Sequence, residues 1–571
     1  MFLWTRGRIV LIVGVLINLA VLTGWLWMDH YYRTTVEVPA FGGEYIEGLV
    51  GRPINLNPLV AISDADQDIN SLIFSGLTRI DREGQLVGNL AREWEISEDR
   101  LTYTFRLYDE ILWHDGTPFE AEDVVFTINL IQDPNFSGSF IVRNNWAGVE
   151  VEEIDPLTVR FTLRDPYAPF LENTTIGILP AHLLQNISGA ELLTASFNKA
   201  PIGTGPYRFG EVESEGSDVL SLSLKAYRFH HRVSPLIETI RFRFYPNAQE
   251  AFEGLRQRHV HALSNLPPEL KEELENLRNV EIFKGTLPNY QAVYFNTKRP
   301  LFEDVRVRRA LAHMTDRRAL IDQVMGGRAQ IADGPLPRNS WAYTTPHDTT
   351  PTYDPEKAAA LLEEAGWTLN ENGIRQKDDM LLQFALISDD HEERRKAAFH
   401  LAEQWAEIGV WVDVRLFGVG TFIEDFLRRR EFDAAIFGQN TYWDPDLYAY
   451  WHGSQINDPG MNLSRFEHGR LDRQLEDGRR LASTRERRER YVVVQEIIRE
   501  DVPAIFLYTP EYNFVANRLV KGISVGYFAR PSDRLRTVAN WYIETKRVKI
   551  ITETTQNAPR IIDTPIRRED I

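Results

Sequence analysis

The chain has 571 residues, 43% of them hydrophobic and 26% charged, with 36 glycines and 29 prolines, a composition that excludes collagen-like, low-complexity and wholly disordered chains. Lys and Arg total 64 against 82 Asp and Glu, and the net charge of −18 argues against a nucleic-acid partner, which needs basic surface to neutralise phosphate. There is no cysteine, so disulfides, thiolate metal sites, iron–sulfur clusters, cysteine nucleophiles and a lipid-modified N-terminal cysteine are excluded.

Ile9 to Trp27 runs without a charge and follows Arg6 and Arg8. At about 1.5 Å of rise per residue, such a helix approaches the ~30 Å thickness of a bilayer core. Trp25, Trp27, Tyr31 and Tyr32 gather at its far end, where aromatic rings favour the interface. A cleaved signal has a shorter apolar core and a small-residue cleavage site, whereas MDHYYRTTVEV follows here. The pattern predicts an uncleaved, single-pass anchor in the cell membrane over residues 9–27, within a segment of residues 1–32. The basic flank keeps the N-terminus inside and the body on the extracytoplasmic side.

Residues 33–41 read as a short extended linker, and 546–571 as a disordered tail without hydrophobic periodicity. Between them strand-like and helix-like segments alternate, which gives a mixed α/β class for the body at 42–545. Leu101 to Leu107 alternates with period two and reads as a half-buried strand. Asp123 to Ile131 reads as a helix opening behind Glu120 and Glu122. Asp354-Pro355 starts a short helix that Gly366 closes. Glu392 to Ile408, closed by Gly409, reads as a longer helix that delivers a strand at Val410 to Leu416. Glu467 to Glu500 reads as helical, its TRERRER run a solvated face with pairs such as Glu486–Arg490 at i,i+4.

Motifs for covalent chemistry are incomplete. Gly522-Ile-Ser524-Val-Gly526 outlines a nucleophile elbow, but no helix start follows it and no histidine occurs after His468. Gly203-Thr-Gly205 lacks the rest of a phosphate-binding loop and is followed by Pro206, and there is no Walker A sequence. His230-His231 and His259/His261 are close histidine pairs without a clear third ligand, so no metal site is predicted. Asp444-Pro-Asp446, within TYWDPDLYAYW, stands among aromatics. Three readings stay open for it: carboxylates for glycoside hydrolysis, a grip on a ligand amine with stacked rings, or a structural Asp-Pro turn.

Taken together, a series of stretches is more specific than any one motif. Leu90 to Phe105 (LAREWEISEDRLTYTF) is followed by Trp113 to Pro118 (WHDGTP), by Ala121 to Phe126, and by Pro201 to Tyr207 (PIGTGPY). Tyr294 to Pro300, Asp304 to Leu311, Asp316-Arg317, Tyr353 to Ala358, Leu361 to Gly366, Phe432-Asp433 and Pro503 to Tyr508 come next in order. The body, over about 42–545, closely resembles solute-binding protein family 5, the peptide- and nickel-binding receptors of ABC importers.

The resemblance implies a two-lobe periplasmic-binding-protein fold of type II, in its three-subdomain peptide-receptor form. The first lobe would comprise about 42–78, 195–288 and 510–545, the extra subdomain 79–194, and the second lobe 289–509. It implies no enzyme, no catalytic residue and no cofactor. The partners would be a peptide or other small solute, an ABC permease with its ATPase subunits, and the bilayer through residues 9–27. In the peptide-binding members that the chain resembles, an aspartate of the second lobe pairs with the peptide amine. Anchored on Asp444-Pro445, that position falls on Thr441 and the family's preceding tryptophan on Gly438. The expected ligand contacts are Asn440, Thr441, Tyr442, Trp443, Asp444 and Asp446. A membrane-anchored hydrolase of peptides or glycosides, and a receptor that senses ligand without transport, are the rival functions.

Overall fold

The protein is described here by a computed structural model that covers residues 2–549 apart from 62, 217, 346–349, 442 and 527. Side chains are described from residue 14 onward, apart from 140, 141, 268 and 271. Helix Phe2–Thr34 leads into a strand, Thr35–Pro39, that pairs antiparallel with Thr545–Lys549. Within residues 33–41, expected as a linker, Thr35–Pro39 is therefore one arm of a ribbon, and ordered pairing continues four residues into the expected tail, through Lys549. Each arm satisfies the other's backbone groups, and a partner so distant in sequence leaves no local signal. Arg547 fastens the ribbon to the helix end: its Nε donates to Thr35 Oγ1 at 2.9 Å, and its guanidinium lies 4.4 Å from the Tyr32 ring centroid. Among the described residues no helix is long and apolar enough to cross a membrane. The expected span begins at Ile9, outside the residues with described side chains.

The body is α/β with two lobes built on one 12-stranded sheet. Strand Ala504–Asn517 belongs to both. Its first part pairs with Asn289–Phe295 (Ala504 opposite Tyr294), and its second part with Val280–Thr286 (Glu511 opposite Thr286) and with Ala262–Ser264. Beyond Asn289–Phe295 come Ala434–Asn440, Gln383–Asp389 and Trp411–Phe417; beyond Ala262–Ser264 come Glu44–Val50, Thr239–Tyr245, Asp218–Ala226 and Tyr207–Glu215. A separate sheet of Ala91–Ile96, Thr102–Leu107, Thr158–Thr162 and Glu150–Asp155 shares one core with the first lobe, which runs from Tyr45 and Leu72 to Phe105 and Phe161. The second lobe carries two cores: Leu386, Leu401 and Trp405 belong to one, Trp451, Tyr491 and Phe506 to the other.

Stretches that carry the family resemblance do structural work. Asp123 closes the capping box of helix Ala121–Gln132 and also accepts the Trp113 indole N–H at 3.1 Å and the Ala181 N–H at 2.8 Å. His114 Nδ1 accepts from Gly203 N–H at 3.2 Å, which leaves Nε2–H to donate to the Gly205 carbonyl at 2.9 Å. Burial holds this neutral imidazole down to about 4. A Cβ at Gly203 would lie 1.9 Å from the Ile73 carbonyl oxygen, so glycine there permits the close approach of two chain segments.

Helix Pro355–Glu364 starts as read, with Asp354 accepting the Lys357 N–H at 2.9 Å, and Glu392–Ala406 delivers strand Trp411–Phe417. The stretch read as helical over 467–500 forms two helices, Gly469–Arg480 and Thr484–Asp501, with Ser483 capping the second. The break lets the two pack on each other, a tertiary gain that the charge pattern does not display.

Candidate ligand-binding site

The segment after strand Ala434–Asn440 sits where the lobes join. Asn440 pairs in register with Asn289, and its carbonyl accepts the Tyr450 hydroxyl at 2.8 Å. Thr441 donates its N–H at 2.7 Å and its hydroxyl at 3.0 Å to the carbonyl of Pro288, the residue between the two strands that carry the chain across the lobes. Tyr442 lies outside the described residues.

Asp444 is 5% exposed, and both carboxylate oxygens are taken by Arg487, at 2.7 and 2.6 Å. Asp446 grips Arg479 the same way, at 2.6 to 3.0 Å. The Arg479 guanidinium also lies 3.9 Å from the Tyr448 ring centroid and 5.3 Å from that of Tyr167. Burial opposes the charge on both arginines, and the facing carboxylates more than offset it, so both titrate above the ordinary arginine value. These two carboxylates brace the segment against helices Gly469–Arg480 and Thr484–Asp501. Trp443 is turned the other way: its indole N–H donates to the Gly84 carbonyl at 2.6 Å, at the tip of the hairpin Thr78–Ile80/Leu86–Gly88.

Glu172, on the short helix Phe170–Asn173, meets the same segment from the first lobe's side. It accepts the backbone N–H of Trp443 at 3.2 Å and of Asp444 at 2.9 Å. Burial first, then the charge of Asp444, push its carboxyl up to about 7, against the pull of the two N–H groups and of Arg530. Nearby, Ala168 N–H donates to the Arg479 carbonyl at 2.8 Å and the Tyr167 hydroxyl to Asp446 at 3.4 Å. The lobes thus touch along 167–172 and 443–446.

Beside this contact lies a cavity of about 790 Å³. Helix Asp64–Ile73, the hairpin, Thr175 to Gly177 and the 3₁₀ turn Pro531–Asn540 form its walls, and Trp443 is the second lobe's contribution. Ser524 stands at its edge with its hydroxyl accepting from Arg82 Nη1 at 2.8 Å. A Cβ at Gly526 would lie 2.0 Å from the Arg82 carbonyl oxygen, so the glycine of this motif serves close packing. His261 Nδ1 accepts the Ile46 N–H at 3.0 Å, while His259 is exposed. Among the described residues, no group of three or more His, Asp or Glu side chains is placed to hold a metal ion.

The family described as "Bacterial extracellular solute-binding proteins, family 5 Middle" matches residues 85–459. The chain belongs to this family. It is 28% identical over 514 residues to the oligopeptide-binding protein AppA of Bacillus subtilis, covering 88% of this chain and 92% of that protein. The structure of that AppA in complex with a nonapeptide superposes with a TM-score of 0.73 at 27% identity, over 89% of this chain and all of the other (100%). NikZ of Campylobacter jejuni, in complex with Ni(L-His), gives a TM-score of 0.74 at 29% identity over 87% of this chain and 99% of its own.

Sequence reasoning singled out the 440–446 segment but not Glu172, Arg479 and Arg487, which the structure brings against it. Arg487 carried a usable signal: it shares a helical face with Tyr491, Val494 and Ile498, all buried, so the run at 484–490 is not solvated all round. Glu172 had none, because its partners are backbone N–H groups of another lobe.

Removing one member of the Asp444–Arg487 pair leaves the other buried and unpaired, which costs about 3–5 kcal/mol. Asp444→Asn is expected to lower the melting temperature of the ligand-free chain markedly, with partial recovery when Arg487→Met is added; unchanged melting would remove the brace. A second expectation concerns pH. Glu172 faces Asp444, Tyr167 and Arg530. With the lobes apart and the carboxyl in water it returns to its ordinary 4.5, whereas with the lobes together it stands at about 7. The closed form therefore retains a proton that the open form releases. The contribution to closure is full below the lower value and is lost as pH rises through the higher one. Inter-lobe distance measured by energy transfer should lengthen between about pH 5 and 8, and Glu172→Gln should flatten the curve. A wild-type distance that ignores pH would sink this role for Glu172.

Proposed function

We propose that the chain is the solute receptor of an ABC importer, which captures peptide between its lobes on the extracytoplasmic side and delivers it to a permease and its ATPase subunits. The observation that carries this reading is the cavity walled by the first lobe and met by Trp443 of the second. A ligand that touches both lobes favours the closed arrangement by its differential affinity, and closure is the state a permease reads. The volume lies within the ~300–1,000 Å³ of small-ligand sites. Peptide as the solute is supported by the relative whose structure holds a nonapeptide.

Within the proposed site Trp443 is the residue in contact with ligand, and Asp444 and Asp446 act by holding it in place. Thr441, at the position where the family resemblance puts the amine-binding aspartate, carries no charge and spends its hydroxyl on Pro288, so a free peptide amine has no counter-charge there. No covalent chemistry is assigned: the Asp444 carboxylate is held in an ion pair and the Ser524 hydroxyl by Arg82.

We place the N-terminal helix in the bilayer over residues 9–27. Val15, Leu16, Ile17, Leu19 and Val21 are each more than half exposed, and Trp25 and Trp27 are 62% and 68% exposed at its far end. A contiguous apolar surface of this kind marks a membrane contact.

Native mass spectrometry of the full chain in lipid nanodiscs is expected to release an unmodified peptide, one per chain, and Trp443→Ala to lower its occupancy with little change in melting. A cleaved product formed on addition of peptide would favour a hydrolase instead. The anchor is checked separately: alkaline carbonate should leave the chain with the membranes, with Met1 or Phe2 as its first residue. A soluble product starting near residue 36 would show cleavage.

A further inference from the structure

Five guanidinium groups line the cavity, an unusual wall for a chain of net charge −18: Arg79, Arg82, Arg232, Arg530 and Arg536. Two are neutralised on the spot. Arg82 pairs with Glu83 at 3.0 Å and Arg536 with Asp533 at 2.6 Å. The other three come from separate elements: Arg79 from strand Thr78–Ile80, Arg232 from the loop before strand Thr239–Tyr245, and Arg530 from the start of Pro531–Asn540. None of these three forms an ion pair among the described residues. Arg232 spends one N–H on Asn89 Oδ1 at 3.2 Å, and Arg79 Nε is buried with no hydrogen-bond partner.

The remaining carboxylates of the wall are committed elsewhere. Asp81 accepts the Gln85 N–H at 2.7 Å within its own hairpin, and Glu172 accepts the two N–H groups of the second lobe. Burial already lowers Arg232 below the ordinary arginine value, so its charge is held at a cost that a counter-ion would relieve. Asn70 lines the same cavity at 5% exposure with its Oδ1 unpartnered, an acceptor waiting for an N–H. A solute that brings a carboxylate together with amide N–H groups satisfies both needs at once.

We propose that the cavity is an anion subsite in which Arg79, Arg232 and Arg530 receive a carboxylate of the bound peptide, so that the receptor selects peptides that bring a free carboxylate into it. This rests on the peptide-receptor reading and names its substrate class. The carboxylate comes either from an Asp or Glu side chain or from the peptide's C-terminus. Guanidinium–carboxylate bonds are the strong, charge-assisted kind, and their loss reads as a large change in preference.

The test uses the full chain in nanodiscs and a mixed-sequence library of short peptides, offered once as free acids and once as C-terminal amides, with the retained fraction sequenced by mass spectrometry. The expected result is retention of carboxylate-bearing peptides over neutral ones by about tenfold. Enrichment of Asp and Glu that persists in the amidated library assigns the subsite to a side chain, whereas retention of free acids alone assigns it to the C-terminus. Arg79→Gln with Arg530→Gln should abolish the preference, and Arg79→Lys with Arg530→Lys, which keeps the charge, should retain it. Equal retention of the free-acid and amidated libraries by the wild-type chain, with no enrichment of Asp or Glu in either, overturns the anion subsite and leaves the receptor reading standing, as does a preference undiminished in the Gln variant. Retention of no peptide from either library overturns the receptor reading and the subsite with it.

Discussion

Strand Ala504–Asn517 is bonded to Asn289–Phe295 over its first part and to Val280–Thr286 and Ala262–Ser264 over its second. The two lobes therefore share a backbone ladder and not only a surface. Breaking that ladder would expose paired N–H and C=O groups, so relative motion is confined to a bend of the crossing strands near Leu287-Pro288 and its partner stretch around Thr509 to Glu511. Everything at the site follows from this. Thr441 is tied to the Pro288 carbonyl, so the segment that meets the first lobe starts at the pivot.

Buried arginines hold the rest of the arrangement. Arg487 and Arg479 secure Asp444 and Asp446, and in the first lobe Arg534, fully buried, bonds Glu47 at 2.6 Å and Asp68 at 2.5 Å. Arg534 belongs to the turn Pro531–Asn540, whose Arg536 faces the cavity together with Arg530 at its N-cap. Such pairs contribute modest net stability, because desolvation offsets most of their attraction; what they supply is geometry, since a buried charge tolerates few other positions. In this protein one set orients the second lobe's contribution to the site and the other anchors the wall opposite.

Where 443–446 meets the first lobe, much of the contact is made of bonds to backbone: Glu172 to two N–H groups, Trp443 to a carbonyl, Ala168 to a carbonyl, beside the Tyr167–Asp446 side-chain bond. Backbone groups position without discriminating between solutes, which leaves ligand selection to the cavity side chains. The separation matches a receptor that must close in one way around a solute while its cavity chemistry decides which solute that is.

The α/β class, the order of elements and the family were legible in the chain because they rest on local patterns: the capping signals at 120–123 and 354–357, the stop at Gly409, the alternation at 101–107, and the Pro503 to Tyr508 stretch that becomes the shared strand. That the 440–446 segment is unusual was legible too, through the aromatics and carboxylates around Asp444-Pro445, and the structure sets it at the contact between lobes. The roles within it were not. Whether a carboxylate faces a solute or an arginine depends on what lies opposite, and Arg487 arrives from a helix more than forty residues away. The ribbon of Thr35–Pro39 with Thr545–Lys549, the break at Ser483 and the convergence of Arg79, Arg232 and Arg530 on one cavity were decided in the same way. Local sequence determines which backbone conformations and which faces are favourable. Pairing of distant strands and compensation of buried charge are set by the neighbours that the whole fold brings together.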